Sequence, residues 1–260
     1  MSRRPSRRAA RPEVAGQPGH GVFVTGTGTG VGKTAVTGAI ASLLGRLGVR
    51  VAAFKPVLTG LEEPAESGWP PDHELLAAAA GGLEPHVVAP WRFGPALSPH
   101  LAAALAELRL DRHELVEGAW RSRDTAGAQA LVVEGVGGLM VPLVEDFLVR
   151  DLGCALGLPL VIAAVPDLGT INHTLLTLEC ARAVGLHVVG VVLTPWPARP
   201  GVLECSNRET IAAFGDVDVY ELPWVVDPSP GCLADAAEAA RLPVEQWCGE
   251  GDARSVAAAA

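Results

Sequence analysis

Lysine is nearly absent from this chain: of its 20 basic residues 18 are arginine, and Lys33 and Lys55 are the two exceptions. Lysine is a compact point charge that the broad guanidinium plane does not imitate where space is tight. Each of the two stands at a glycine-rich or proline-marked loop after an apolar run, so both are candidates for a confined anionic site. The chain also lacks any apolar run of the roughly 18 to 20 residues that a membrane span needs. Its apolar stretches are short and broken by Gly, Pro or Asp, as in the buried strands of a parallel sheet. The cysteines Cys154, Cys180, Cys205, Cys232 and Cys248 form no CxxC pair and leave one over. That is ordinary reduced usage, neither a disulfide framework nor a zinc site. There is no basic excess either, and the net charge of −9 argues against nucleic acid as a partner. Arginine pairs occur near the start, but no apolar segment follows them before the first strand, which excludes twin-arginine export. The expectation is a cytoplasmic protein without a membrane or nucleic-acid partner.

What is present is a globular composition, 49% hydrophobic and 19% charged, suited to one domain of ordinary size. Residues 1–20 hold five Arg and no apolar periodicity, and 249–260 end in DARSVAAAA; both read as disordered tails around a domain at 21–248. Within that domain strand and helix alternate. Val22–Thr25, Val49–Phe54, Leu131–Glu134, Leu160–Val165 and Val188–Leu193 read as strands. Lys33–Leu47, a stretch after Pro70-Pro71-Asp72, and Thr170–Val184 read as helices, and Pro195–Gly201 as a long rigid loop. Strand, crossover helix and parallel strand in this order predict an α/β fold: a P-loop NTPase-like, doubly wound, mostly parallel sheet in a single domain.

Gly26–Thr34, GTGTGVGKT, is the informative segment. Glycines let backbone N–H groups converge on an anion, and the helix N-terminus adds its partial positive charge. Lys33 then reaches the β- and γ-phosphates, while Thr34 offers its hydroxyl to Mg²⁺. The loop is a variant, because the usual first glycine slot holds Thr27 and Gly26 stands six residues before Gly32. On its own it indicates only that a nucleotide binds.

Lys55 opens Lys55-Pro56-Val57-Leu58-Thr59-Gly60 after the second strand, and carboxyl ends of strands line the crevice of open α/β sheets. Lys55 is therefore expected to share the crevice with Lys33. Glu134 ends a buried strand before a turn, Gly135-Val136-Gly137-Gly138. A carboxylate there is costly unless it serves a charge, for which Mg²⁺ is suited. Asp72 reads equally as a helix cap or a ligand, and Asp151 as a structural residue. Gly169-Thr170-Ile171-Asn172-His173 opens a helix whose free N–H groups could take a carboxylate or phosphate, or no ligand at all. His173 has no partner at metal-ligand spacing.

The segments GTGTGVGKT, KPVLTG, SPH at 98–100, VEGVGGL, DLGTINHTLLT and ELPWV follow one another as in dethiobiotin synthetases. The chain resembles that family from about Val22 to Pro223-Trp224. The resemblance implies a homodimer with shared active sites that closes the ureido ring of dethiobiotin, in biotin biosynthesis. Its substrates would be 7,8-diaminononanoate, CO₂ and ATP or another nucleoside triphosphate, with Mg²⁺. Carried over, it places Lys33 and Lys55 on the phosphates and the carbamate as catalytic residues, and Thr34, Asp72 and Glu134 around the metal. The nucleotide would lie along Gly28, Thr29, Gly30, Val31, Gly32, Ala35, Gly135, Val136, Gly137, Thr194, Pro195, Pro223, Trp224 and Val225. Thr59 would meet the substrate, and Gly169 to Asn172 of the partner subunit would receive its distal carboxylate. Three positions depart from the family pattern. Val136 replaces a usual Ala, Gly28 and Gly30 replace acidic residues of some members, and Thr194-Pro195-Trp196 lacks the Asn that many use for the base. Relaxed base selectivity is the expected consequence.

Two other classes share this loop. Cobyrinate-type amidoligases usually carry a glutaminase domain, for which no room is expected after residue 224. Partitioning and cell-division ATPase switches carry an extra lysine where this chain has Gly26-Thr27.

Overall fold

The apolar runs fold as parallel strands because each is buried on both faces by the helices that connect them. The computed structural model describes residues 20–63 and 68–249. The expected tails at 1–20 and 249–260 lie outside the described residues, save His20 and Gly249. Six strands make the central sheet: β1 (Gly21–Gly26), β2 (Val51–Phe54), β5 (Ala130–Gly138), β8 (Leu160–Ala164), β9 (Val188–Trp196) and β10 (Val219–Pro223). Their order is β10-β9-β8-β1-β5-β2, with every adjacent pair parallel. Two small ladders flank it, β3 (Val57–Leu58) with β4 (Trp91–Arg92), and β6 (Pro142–Val144) with β7 (Phe147–Leu148).

Side chains alternate across each strand, and the two faces feed two cores. Val22 and Val24 of β1, Val132 of β5 and Val161 of β8 lie on one face. That face is covered by α1 (Lys33–Arg46), α2 (Asp72–Ala79), α3 (Pro85–Val88), α9 (Pro230–Ala239) and α10 (Val244–Gly249). Phe23, Leu131, Val133 and Ile162 point the other way. There they meet α4 (Pro99–Leu105), α5 (Arg112–Thr125), α6 (Val149–Leu156), α7 (Thr170–Ala183) and α8 (Val202–Gly215). Helix α1 is buried along most of its length, from Val36 to Leu44. At Gly38 an added Cβ would stand 2.8 Å from Leu75 and 3.1 Å from Leu233, so α2 and α9 close on α1 there.

Two expectations need correction. The predicted turn Gly135–Gly138 belongs to β5, because its ladder with β1 resumes at Gly138, opposite Gly26, after a register shift. The predicted loop from Pro195 begins later, since β9 runs on to Trp196 through a cis Thr194–Pro195 peptide and pairs Trp196 with Pro223. The connection to α8 is correspondingly short.

Candidate active site

Strand register brings the charged groups together. In β2, Ala53 lies on the α1 face opposite Val132 of β5. Two residues on, Lys55 and Glu134 keep that face, and Lys55 Nζ sits 2.6 Å from Glu134 Oε1. The α1 face is also where α1 opens, so Thr34 Oγ1 donates to the same Glu134 Oε1 at 3.1 Å. From α2, Asp72 supplies a second carboxylate to Lys55 Nζ. Its side chain does not cap its own helix, where Pro71 is the N-cap residue. The cap reading of Asp72 is thereby excluded. Asp151 does act structurally, accepting from the Leu148 N–H at 2.8 Å at the start of α6.

The phosphate loop is held against the sheet by the Thr27 N–H, which donates to Ala163 O at 3.1 Å. Gly32 is the N-cap residue of helix α1, with a left-handed φ of 84° and no side-chain cap. A Cβ there would stand 2.5 Å from Thr194 Cγ2, so glycine is needed for both conformation and space. Lys33 Nζ donates to Gly28 O at 2.7 Å, curling back over the loop.

These charges are deeply buried, with exposures of 7% for Lys33, 5% for Lys55 and 0% for Glu134. Burial depresses the Lys33 ammonium below the ordinary lysine value; Glu134 opposes this and Lys55 adds to it. Burial also acts to lower Lys55, but Glu134 and Asp72 more than offset it, and its pKa is raised. Burial raises Glu134 above the usual carboxylate range despite Lys55. Asp72 is likewise pushed up by burial, but Lys55 reverses the sign and holds it low. The four groups sum to zero formal charge, with Lys55 as the shared counter-ion.

Glu134 Oε2 is buried and has no hydrogen-bond partner among the described residues. An unpaired carboxylate oxygen beside a hydroxyl and a second carboxylate is a set of hard oxygen donors suited to Mg²⁺, which takes few protein ligands and completes its shell with water and phosphate. No cluster of three or more His, Cys, Asp or Glu that could hold a metal occurs among the described residues.

All this lies in a cleft of about 830 Å³. It is lined by Thr29, Gly30, Gly32, Lys33, Thr34, Ala35, Lys55, Thr59, Asp72, Glu134, Val136 and Gly137, with Thr194, Pro195, Pro223, Trp224 and Val225 closing one side. Gly28, Val31 and Gly135 do not line it. Gly28 stands behind Lys33, Val31 joins the α1-side core, and Gly135 lies against Phe23 and Val149. Gly169, Thr170, Ile171 and Asn172 are also not among its walls. They open α7, where Gly169 has φ 94° and Thr170 is buried. Sequence reasoning left out Leu58, Trp69, Ala96, Leu97 and Val141, and assigned no role to Ser98 or Pro99; all seven line the cleft. Ser98-Pro99 was legible as a motif, and Leu58 lies within KPVLTG. Trp69, before a proline pair, carried no periodic signal. A second groove of about 740 Å³, between α4 and the β6–β7 hairpin, has none of the phosphate-binding parts.

A parallel sheet with Gly-Lys-Thr opening the helix after its first strand, and a buried carboxylate on the neighbouring strand, defines a P-loop nucleotide-binding protein. The family described as "AAA domain" matches residues 20–228. An ATP-dependent dethiobiotin synthetase BioD of Bacillus licheniformis is 39% identical over 211 residues, 81% of this chain and 88% of that protein. The BioD of Anaeromyxobacter sp. is 41% identical over 77% of this chain and 92% of its own length. That of Mycobacterium avium is 41% identical over 75% and 84%. Among solved structures, the MinC:MinD cell division protein complex of Aquifex aeolicus aligns with TM-score 0.48 at 12% identity, over 92% of this chain and 96% of that one. At that distance the likeness says nothing of activity. The chain belongs to the family of ATP-dependent dethiobiotin synthetases.

Proposed function

We propose that this enzyme closes the ureido ring of dethiobiotin from 7,8-diaminononanoate and CO₂, with ATP converted to ADP and phosphate, in biotin biosynthesis. The observation that carries the reading is Lys55: a buried, charged lysine between two carboxylates, in the same cleft as the phosphate loop. One substrate amine adds to CO₂ and loses a proton, giving a carbamate. A carbamate oxygen attacks the γ-phosphorus and ADP leaves, forming a carbamic-phosphoric anhydride. The second amine attacks the carbonyl carbon, phosphate departs, and the ring closes. Negative charge gathers on the transferring phosphoryl group, so ammonium groups and backbone N–H groups aimed at it are the catalysts required. Lys33 binds the β- and γ-phosphates, and Lys55 bridges the carbamate and the γ-phosphate. Thr34, Asp72 and Glu134 would hold Mg²⁺, which neutralises phosphate charge when bound.

Thr59 meets the diamine end of the substrate. The α7 opening, Gly169 to Asn172, receives the distal carboxylate on a neighbouring copy, because it is no part of the cleft of its own chain. Exposed apolar side chains beside it, Leu168 at 88% and Leu176 at 61%, support a homodimer joined there. On the base side, among Thr194, Pro195, Pro223, Trp224 and Val225, the side-chain polar groups are the hydroxyl of the 3%-exposed Thr194 and the indole N–H of Trp224, with no amide to pair with a base edge. Other nucleoside triphosphates are therefore accepted, and the setting is cytoplasmic, where these triphosphates are made. Phosphate release measured with and without diaminononanoate tests the reading. Release that requires both diamine and CO₂ supports it; release indifferent to either overturns it.

A further inference from the structure

Asn207 stands in α8, yet its side chain serves the loop between β8 and α7. It is 4% exposed, and its Nδ2 donates to two consecutive carbonyls, Pro166 O at 2.9 Å and Asp167 O at 3.1 Å. Carbonyls only accept, so the amide's orientation is settled by its partners. The loop has little else to hold it. Asp167 and Gly169 are exposed, Leu168 is 88% exposed, and the local backbone bonds are Thr170 N–H to Asp167 O at 3.1 Å and His173 N–H to Gly169 O at 3.2 Å. Helix α8 is itself anchored, with Ile211 fully buried and Arg208 2.9 Å from Glu221 of β10. Immediately after the held carbonyls the chain turns through Gly169 at φ 94°, and α7 begins. Among the described residues, the loop's carbonyls accept from the Thr170 and His173 N–H groups, and none accepts from those of Ile171 or Asn172.

We propose that Asn207 is a positioning residue for ring closure: it fixes the 166–169 loop so that the α7 opening meets the substrate's distal carboxylate. This rests on the reading that Gly169 to Asn172 bind that carboxylate. Without the two bonds the loop samples other conformations, and apparent affinity falls by the fraction of time the competent one is lost. Two hydrogen bonds of ordinary strength make that on the order of ten-fold.

The test compares diaminononanoate with 7,8-diaminononane, the same diamine without the carboxylate, in the full-length wild type, Asn207→Leu and Asn207→Ser. Phosphate release is measured with CO₂ and ATP. Wild type is expected to show a much lower KM for the carboxylate-bearing substrate. Asn207→Leu should raise KM for diaminononanoate about ten-fold while KM for ATP and for the carboxylate-free diamine stay unchanged. Asn207→Ser, which keeps one donor, should fall between, and it carries the test if the leucine variant does not fold. Undiminished discrimination in a folded variant overturns the role of Asn207 and leaves the carboxylate reading intact. Equal KM values for the two diamines in wild type overturn both.

Discussion

Replacing Lys55 by Met removes the counter-ion of the site while nearly keeping its length. Glu134 is fully buried with one oxygen already unpaired, so its remaining oxygen would keep only the Thr34 hydroxyl at 3.1 Å. Asp72, whose side chain is 37% exposed, can turn to water. Breaking a buried pair from one side typically costs about 3–5 kcal/mol, mostly the stranded charge. For a chain of 260 residues, each kcal/mol moves the melting temperature by about 2–4 °C, giving a fall of roughly 6 to 20 °C. Adding Glu134→Gln removes the stranded charge, so the double variant should recover most of that loss. Turnover should recover in neither, because a lysine that stabilises the transferring phosphoryl group accounts for about 100- to 1000-fold in rate. Thermal melts followed by tryptophan fluorescence without nucleotide, beside phosphate-release assays, give both readings. A Lys55→Met melt within about 2 °C of the parent, or a double variant no more stable than the single, would refute the counter-ion argument.

Gly32→Ala should destabilise the fold by about 1–3 kcal/mol and weaken ATP binding, since φ is left-handed and Thr194 is in the way. Gly48→Ala, with φ 86° and nothing within 4 Å, should incur only backbone strain and leave an ATP titration unchanged. Glu134→Gln should raise the Mg²⁺ concentration needed for half-maximal turnover; an equal loss at limiting and saturating Mg²⁺ would remove it from the ligand set. CTP, GTP and UTP should each support turnover within about a hundred-fold of ATP, and inert behaviour of all three would show that backbone groups read the base. Co-expressed Lys55→Ala and Asn172→Glu chains should recover about a quarter of wild-type activity. Half of randomly formed dimers are mixed, each with one intact site of two; mixed dimers without activity would place the whole site in one chain.

The phosphate loop, both lysines and Glu134 were legible because their chemistry is local: glycine spacing, a strand end and a rare residue type. Asp72 was ambiguous because a carboxylate at a helix start looks the same whether it caps or points across the cleft. Only the neighbouring position of α2 and the end of β2 decides, and that is a long-range fact. The continuation of β5 through Gly135–Gly138 and of β9 through Pro195 ran against local propensity, since glycine and proline disfavour strands; pairing with β1 and β10 overrides it. Trp69 entered the cleft wall with no pattern to announce it. Asn207 looked like an ordinary polar residue of a helix, because its partners lie 41 and 40 positions away.

The sheet's interior offers the folding chain little to distinguish one alignment of β2 against β5 from another. Residues 51–54 and 130–133 are apolar and buried on both sides, so sliding one strand by a residue would still put hydrocarbon against hydrocarbon. The step just beyond those rungs is different in kind. There an ammonium meets a carboxylate, and any slip would leave each facing a hydrocarbon neighbour in a dry interior. Lys55 and Glu134 thus act as an alignment key, in the way a single buried polar residue sets the register of a coiled coil. The same ion pair that lines the cleft also tells the edge strand β2 where to stop sliding along β5.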